Sequence, residues 1–372
     1  MSPESASPAR LRAVEVSGDA STVEGPLRGY HHETYVVPLP GVDGAAGAAR
    51  WKCREPRGNL LWFDRRCFRS EEELLRALRG RITGVPDVFE IDGLPLQRFV
   101  EGQTLGTLHG AGRAVPDGLV RQIVRLFGET AAVTSRTLTV DRRCRPEDRP
   151  ADGDTDGFVE RLVRFTERRV YAHNLGEFGS LFAALGLDDD AFGRLRKHVR
   201  GLRERPFCLL HADLHRENLI VDADRRLWTI DWELAMVGDP LYELATHLHL
   251  MRYPSWQRRQ VAEGWRRAVE AVRPGGSRGW RQDLGRLVGY KRAQSVFTDV
   301  VREAVSLGRD ARSPRSRVLP AAVRLHGVLA DAAVPLGLDS VPGPAEIGAA
   351  LARWSRAHTD DGQPPDRPRL AP

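Results

Sequence analysis

The chain has 372 residues, enough for a large core and for two or three domains, and 56 Lys and Arg against 50 Asp and Glu give it a net charge of +6. Its start, MSPESASPAR, lacks a basic segment followed by an apolar one, so no signal peptide is expected. No apolar run approaches the roughly 20 residues that a membrane helix needs, and four scattered cysteines without a CxxC pair favour a reduced cytoplasm. No nucleic-acid-binding motif accompanies the basic charge.

The basic excess is concentrated in the C-terminal third of the chain. Residues 251–372 contain 21 Lys and Arg against 12 Asp and Glu, an excess of nine positive charges, whereas residues 1–250 carry a net charge of −3. In the whole chain nearly all basic residues are arginines, since only Lys52, Lys197 and Lys291 are lysines. A strongly basic surface repels polycations and is better suited to neutral or anionic partners.

The first hundred residues predict a small β-rich unit that follows a disordered segment, residues 1–12. Runs of β-branched and aromatic residues between turn-rich segments predict strands; these are Val14–Val16, Thr34–Leu39, Arg50–Arg54, Val85–Ile91 and Leu94–Val100. Ser70–Leu78 predicts a helix, because Ser70 suits the N-cap position and three glutamates fill the first turn.

Helical patterns dominate after Glu101–Thr104, which we interpret as a hinge. The predicted helices cover residues 116–134, 157–171, 189–204, 240–252, 255–272, 280–307 and 317–332. Asp141–Gly157, rich in Asp, Arg and Pro, predicts a mobile surface insertion, and residues 359–372 predict a disordered tail.

A segment at the centre of the chain, Phe207–Tyr242, combines short apolar runs with polar residues at their ends. Its pattern predicts strand, loop, strand, turn and strand, with Asp213, Asn218 and Asp231 at neighbouring strand ends. Three hard oxygen ligands around one point suit Mg²⁺, which also retains waters and phosphate oxygens as ligands. The sequence therefore predicts a magnesium site in this segment.

The runs HADLHREN and IDWELAMVGDP within this segment resemble the aminoglycoside phosphotransferase and choline kinase family. The resemblance implies an α+β, two-lobed, protein-kinase-like fold. Residues 13–100 would form the nucleotide-binding lobe and residues 101–358 the larger, mostly helical lobe that carries the catalytic loop and the acceptor. It also implies Mg²⁺-dependent transfer of the γ-phosphoryl group of ATP to a hydroxyl.

Within this resemblance, Asp213 is the catalytic base that orients the acceptor hydroxyl and accepts its proton, and Asn218 and Asp231 hold Mg²⁺. His215 lies two residues after Asp213, where a neutral imidazole could donate a hydrogen bond to phosphate. His211 is expected to brace the catalytic loop.

Two further residues of the segment have roles that the pattern itself suggests. Asp239 precedes Pro240 and is expected to cap a helix, a structural role. Glu233, in the run Ile-Asp-Trp-Glu, either touches metal-bound water or anchors the loop, and we also count it among the candidate acceptor-site residues.

The nucleotide-binding lobe supplies the remaining cofactor contacts by resemblance. Lys52 would contact the α- and β-phosphates and pair with a helix glutamate, for which Glu71 fits the spacing best and Glu72 is the rival. Arg98 and Val100 complete the nucleotide-binding set. Gly29 is the single glycine at the turn of the predicted phosphate loop, which departs from the Gly-x-Gly-x-x-Gly pattern of kinases.

The long predicted helix at 280–307 carries polar residues at helical spacing. Lys291, Ser295 and Asp299 share a face there and are candidate acceptor-site residues, although a solvated face would show the same pattern. The acceptor is a small-molecule natural product or antibiotic, or alternatively Ser or Thr of a precursor peptide, in which case a lyase is an expected partner. A pseudokinase that binds nucleotide without turnover is the alternative of another class. Nucleic acid and membrane are not expected partners.

Overall fold

The computed structural model describes residues 7–27, 32–39, 49–57, 65–309 and 314–359. The small lobe contains a five-stranded antiparallel sheet in the order β1-β2-β3-β5-β4. Its strands are β1 (Glu24–Leu27), β2 (His32–Leu39), β3 (Ala49–Pro56), β4 (Val88–Ile91) and β5 (Leu94–Arg98). Strands β2 and β3 pair along their whole length, and this pairing places Lys52 opposite Val36 near the middle of the sheet.

An N-terminal helix, α1 (Pro8–Ser17), lies where the sequence predicted disorder and a strand at Val14–Val16. Both predictions are wrong for the described residues. Ser7 accepts a hydrogen bond from the backbone of Arg10, and Pro8 occupies the first turn, which is a favourable helix start. The helix packs on β2 and β3, where Ala9 and Ala13 are buried, so tertiary packing overrides the local β propensity of the valines.

Helix α2 (Glu71–Leu78) begins and ends as predicted. The Ser70 hydroxyl accepts the Glu73 amide, and three glutamates occupy the first turn. Leu74, Leu75 and Leu78 are buried in the hydrophobic core of the large lobe. Helix α2 of the small lobe thus shares a core with the large lobe, and this core does not mark a boundary at residue 100. The predicted domain boundary there stays a prediction.

The large lobe is mostly helical, so the predicted α+β, two-lobed class is confirmed. Its helices are α3 (Leu105–Leu108), α4 (Asp117–Ala132), α5 (Thr155–Phe165), α6 (Leu175–Ala184), α7 (Ala191–Val199), α8 (Pro240–Met251), α9 (Ser255–Val272), α10 (Trp280–Arg309), α11 (Pro314–Leu336) and α12 (Pro344–Thr359). Helices α3, α6 and α12 were not predicted. The predicted mobile insertion is fastened by local pairing, since Phe68 bridges Arg142 and the Arg143 amide donates to the Cys67 carbonyl.

Two small sheets carry the central segment of the sequence. One pairs β7 (Cys208–Leu210) with β10 (Met236–Gly238), and the other has the order β6-β8-β9, with β6 (Gln103–Thr104), β8 (Leu219–Val221) and β9 (Leu227–Thr229). The loop between β7 and β8 and the residues after β9 therefore lie side by side, because the Ile230 amide donates to the Asn218 carbonyl at 3.0 Å. This arrangement creates the candidate site.

One helix departs from the expectation that no segment is long and apolar enough to cross a membrane. The part of α11 at Arg317–Leu336 meets that standard by length and composition, with a third of it buried inside the protein. Its residues Leu325, Leu329 and Leu336 are fully buried in the core, where α11 packs against α10 and α12. Buried helices of globular proteins share this composition.

Candidate active site

The loop between β7 and β8, residues 211–218, is held in a strained conformation. Ala212 has a φ of 65°, a left-handed backbone that costs a non-glycine residue free energy on the order of 1–3 kcal/mol. Its amide donates a hydrogen bond of 2.9 Å to Glu243 Oε2, from the neighbouring helix α8. Helix α8 therefore stabilises the turn that presents the next residue, Asp213.

His211 is fully buried and joins the loop to β9. Its Nδ1 accepts the Asp213 amide at 3.3 Å, so Nε2 carries the proton and donates to the Ile230 carbonyl at 3.1 Å. Burial lowers the pKa of His211 to about 4, which keeps the ring neutral. The ring also packs against Trp232 at a centroid distance of 4.6 Å. These contacts fit a bracing role better than a chemical one.

Asp213, His215 and Asn218 are brought together by the same loop. Asn218 Nδ2 donates to the carbonyl and to Oδ2 of Asp213, at 3.0 and 3.2 Å. His215 Nε2 lies 3.4 Å from Asp213 Oδ2, and its Nδ1 accepts the Glu217 amide. Burial opposes ionisation of Asp213, but the hydrogen bond from His215 and the nearby charges of His215 and Lys291 together lower its pKa. The carboxylate is therefore ionised and available as a base.

A cluster of carboxylates lies beside this loop. Glu71, Asp231 and Glu233 each offer an oxygen, and these oxygens all lie within 4.8 Å of one another. Burial, followed by the negative charges of Glu71 and Glu233, raises the pKa of Asp231 to about 7. Asp231 also adopts a left-handed backbone, with a φ of 64°. A buried carboxylate whose pKa is raised by neighbouring carboxylates is a candidate cation ligand.

These residues fit Mg²⁺. Asn218 uses its amide nitrogen for Asp213, and its Oδ1 accepts no hydrogen bond within the described part of the chain, so this oxygen is available as a ligand. Asp231, just after the adjacent strand β9, would supply the second oxygen. Amide and carboxylate oxygens with room for waters and phosphate are the donors that Mg²⁺ takes.

Two arginines and a histidine of the N-terminal part of the chain surround Glu233, and sequence reasoning did not assign them to the site. Arg54 forms ion pairs with both Glu71 and Glu233, Arg66 pairs with Glu233, and His32 Nδ1 lies 2.7 Å from Glu233. Burial opposes ionisation of Glu233, but the His32 hydrogen bond and the charges of Arg54, His32 and Arg66 lower its pKa to about 2. Glu233 therefore lies with the metal-site carboxylates rather than with the other candidate acceptor residues.

The structure corrects the predicted pairing of Lys52. Glu71 is satisfied by Arg54 and by the Trp232 amide, which donates to Glu71 Oε1 at 2.8 Å. Glu72 accepts from Ser70 and Gln97. The ammonium group of Lys52 forms no ion pair with a described residue, although it lies close enough to Glu71 and Asp231 to interact with their charges. Burial and then the charge of Arg54 lower its pKa to about 8, while Glu71 and Asp231 oppose this shift.

Arg54 could have been found from the sequence by strand periodicity. It lies two residues after Lys52 on β3, and side chains at i and i+2 share one face of a strand. The sequence offers no comparable signal for Arg66, which precedes α2 in an irregular segment.

The other predicted nucleotide contacts lie at the edge of the cleft or outside the described residues. Arg98 ends β5, and its guanidinium lies 3.8 Å from Asp87. Val100 follows at the predicted hinge and is partly buried. Gly29, with residues 28–31 of the predicted phosphate loop, lies outside the described residues.

Asp239 occupies the cap position that the sequence indicated. Its Oδ1 accepts the Leu241 amide at 2.8 Å at the start of α8. The same carboxylate pairs with Arg205, and both side chains are fully buried. Arg205 also pairs with Asp283 of α10 at 2.8 Å, so this network connects α8 to α10.

The candidate acceptor residues of α10 face two different places. Lys291 lies beside the catalytic loop, where Nζ donates to Gln294 Oε1 at 2.7 Å and lies 5.5 Å from the centre of the Tyr242 ring. Ser295 and Asp299 line a separate cavity of about 700 Å³. The predicted polar face is therefore real but divided between the loop and this cavity.

Comparison with known proteins agrees with this fold. The model of the phosphotransferase enzyme family matches residues 39–282. A candidate aminoglycoside phosphotransferase from Ralstonia eutropha has a TM-score of 0.52 and 15% identity, over 93% of this chain and 98% of that chain. Two further similar structures are a choline/ethanolamine kinase family protein from Mesorhizobium loti (TM-score 0.49, 14% identity, 93% and 98%) and a macrolide 2'-phosphotransferase from Brachybacterium faecium (0.46, 14%, 89% and 99%).

The two-lobed fold and the match over most of both lobes define a kinase-like phosphotransferase. The chain belongs to the phosphotransferase enzyme family. It is an ATP-dependent kinase that acts on hydroxyl groups.

Proposed function

We propose that this protein transfers the γ-phosphoryl group of ATP, in a Mg²⁺-dependent reaction, to a hydroxyl of a small molecule held by the large lobe. The observation that carries the proposal is the convergence of Asp213, Asn218 and Asp231 at adjoining strand ends. The hydrogen bonds of Asn218 to Asp213 support one shared site. A cavity of about 700 Å³ in the large lobe supports a small acceptor over a long peptide.

In this proposal Asp213 accepts the proton of the acceptor hydroxyl while the new oxygen–phosphorus bond forms and the bond to ADP breaks. The low pKa of Asp213 supports a role in orienting the hydroxyl, with the proton moving late in the reaction. His211 and Glu243 hold the loop, and His215 fixes the carboxylate. Lys52 and Arg54 supply positive charge on the nucleotide side of the cleft.

Asn218 and Asp231 would hold Mg²⁺, which neutralises charge on the phosphates when bound. Glu233 and Glu71 lie close enough to Asp231 to raise its affinity for a cation. The surrounding arginines keep these two carboxylates ionised and fixed in place.

The test is the variant Asp213→Asn. Asparagine keeps the shape and the Asn218 contact but cannot accept a proton, so turnover should fall by about 10²–10⁴-fold, the usual contribution of a positioned general base. Nucleotide affinity and melting temperature should stay near wild type. Phosphate transfer is measured by mass spectrometry over a panel of antibiotics, sugar alcohols and Ser/Thr peptides.

Unchanged turnover in Asp213→Asn would remove the proposed base. Transfer to peptides alone would replace the small-molecule acceptor with a precursor peptide.

A further inference from the structure

A cavity in the large lobe lies between α8, α10 and α11, apart from the carboxylate cluster. It measures about 700 Å³, within the roughly 300–1,000 Å³ of small-molecule sites. Its lining includes Arg252, Arg258, Arg292, His249, Ser295 and Asp299.

Three arginines of this cavity have no acidic partner. The guanidinium groups of Arg252, Arg258 and Arg292 form no ion pair or hydrogen bond with any residue in the described ranges, although Arg252 feels the charge of Asp299. A fourth arginine of the lining, Arg324, is neutralised by Glu303 at 2.7 Å. Grouped cations without counterions are unfavourable, and an anionic ligand would relieve their repulsion.

The charges and burial around these arginines also favour an anionic ligand. Burial and then the charge of Arg292 lower the pKa of Arg258, so these two side chains repel each other. Burial lowers the pKa of His249 to about 4, and four cations add to this effect, namely Lys291, Arg252, Arg292 and Arg258. His249 is therefore neutral and can donate one hydrogen bond to an anion without adding charge.

The backbone of Arg252 provides an independent observation. It caps the C-terminus of α8 in a left-handed conformation, with φ 49° and ψ 51°, where glycine or asparagine is the usual residue. Strained non-glycine residues cluster at functional sites, and Arg252 lines this cavity.

We propose that this cavity binds the acceptor through an anionic group, either a phosphate or a carboxylate, held by Arg252, Arg258 and Arg292. The inference rests on the proposed function, because it assumes that the large lobe holds the acceptor. Lys291 lines a small pocket with Ala212 of the catalytic loop and directly precedes Arg292 on α10, so this helix connects the two places. Asp299 and Asp331 also line the cavity and suit the hydroxyl groups of the same molecule.

The test compares four sugars that share one ring and differ in charge: glucose, glucosamine, glucuronate and glucose 6-phosphate. Binding is measured by calorimetry with Mg²⁺ and a non-hydrolysable ATP analogue at saturation, so that phosphate cannot occupy the nucleotide site. The two anionic sugars should bind more tightly than glucose, and glucosamine should bind least. Their relative affinities distinguish a phosphate from a carboxylate.

Arg258→Gln combined with Arg292→Gln should weaken binding of the anionic sugars by about tenfold or more, because charge-assisted contacts are lost. Arg259→Gln is the matched control, since Arg259 is exposed on the same helix and does not line the cavity. Thermal melting of each variant verifies that the fold is intact.

Three results would overturn the proposal: tightest binding of glucosamine, equal affinity of the anionic sugars for wild type and the double variant, or no binding of either anion up to about 10 mM. Binding of an acidic Ser/Thr peptide in place of the sugars would also overturn it. Because the readout is binding, it does not depend on the chemistry. Failure of the catalytic proposal would be seen separately, in the turnover of Asp213→Asn.

Discussion

The pKa of Asp231 is determined by the residues around it. Its pKa of about 7 results from burial and from the charges of Glu71 and Glu233. A bound cation would favour the ionised carboxylate and so lower this pKa. If Asp231 is a Mg²⁺ ligand, Asp231→Ala should abolish the gain in ATP affinity that Mg²⁺ gives the wild type, because the triphosphate loses its bridge to the protein. Calorimetry with ATP, with and without Mg²⁺, measures this gain.

The control for this prediction is Asp224→Ala. Asp224 lies in the exposed turn between β8 and β9, with its side chain 71% accessible, so its removal should leave the effect of Mg²⁺ unchanged. An equal Mg²⁺ effect in wild type and Asp231→Ala would mean that Asp231 is not a ligand.

At the scale of elements, the start of α8 depends on a buried ion pair. Asp239 caps the helix and neutralises Arg205, and neither side chain is accessible to solvent. Asp239→Ala leaves Arg205 with Asp283 as its remaining acidic partner among the described residues, so the free energy of unfolding should fall by about 3–5 kcal/mol. Urea denaturation measures the loss.

Two further variants sharpen this prediction. Asp117→Ala, at the exposed first turn of α4, also removes an acidic residue from a helix start and should cost only about 0.3–1 kcal/mol. Adding Arg205→Met to Asp239→Ala should recover only part of the loss. It removes the buried arginine, but Asp283 is then left with Arg286 at 3.9 Å and the Arg203 amide. A similar loss in Asp239→Ala and Asp117→Ala would argue against a stabilising role for the pair.

At the scale of the whole molecule, the contact between α8 and the catalytic loop makes stability depend on pH. Burial raises the pKa of Glu243 to about 7 from its ordinary value of 4.5. Between these values the folded protein binds more protons than the unfolded chain, so Glu243 contributes less to stability as the pH rises. Glu243→Gln, which cannot ionise, should remove this contribution.

The measurement is the free energy of unfolding of wild type and Glu243→Gln from pH 4.5 to pH 8, without Mg²⁺. The difference should shift in favour of the variant as the pH rises through about 7, whereas the exposed Glu147→Gln should show no such trend. Comparing each variant with wild type separates Glu243 from His211, whose depressed pKa has the opposite effect on stability. A constant difference across this range would refute the role of Glu243.

The sequence by itself determined the features that depend on neighbouring residues. The strands β2, β3, β4 and β5, helix α2 with its Ser70 cap, and the convergence of Asp213, Asn218 and Asp231 all follow from local periodicity and spacing. The family resemblance also follows from two short runs of residues. These signals are reliable because hydrophobic burial and capping act over a few positions along the chain.

Only the tertiary structure determined which charged residues form ion pairs. Arg54 forms an ion pair with Glu233, 179 positions away, and also pairs with Glu71, which was the predicted partner of Lys52. Helix α1 formed where local propensity favoured a strand, because Ala9 and Ala13 fit against the sheet. The basic excess of residues 251–372 was visible in the composition. Only the fold separates the arginines that have acidic partners from the three cavity arginines that pair with no acidic residue in the described part of the chain. Electrostatic interactions depend on distance in space and on burial, and neither can be obtained from the order of residues.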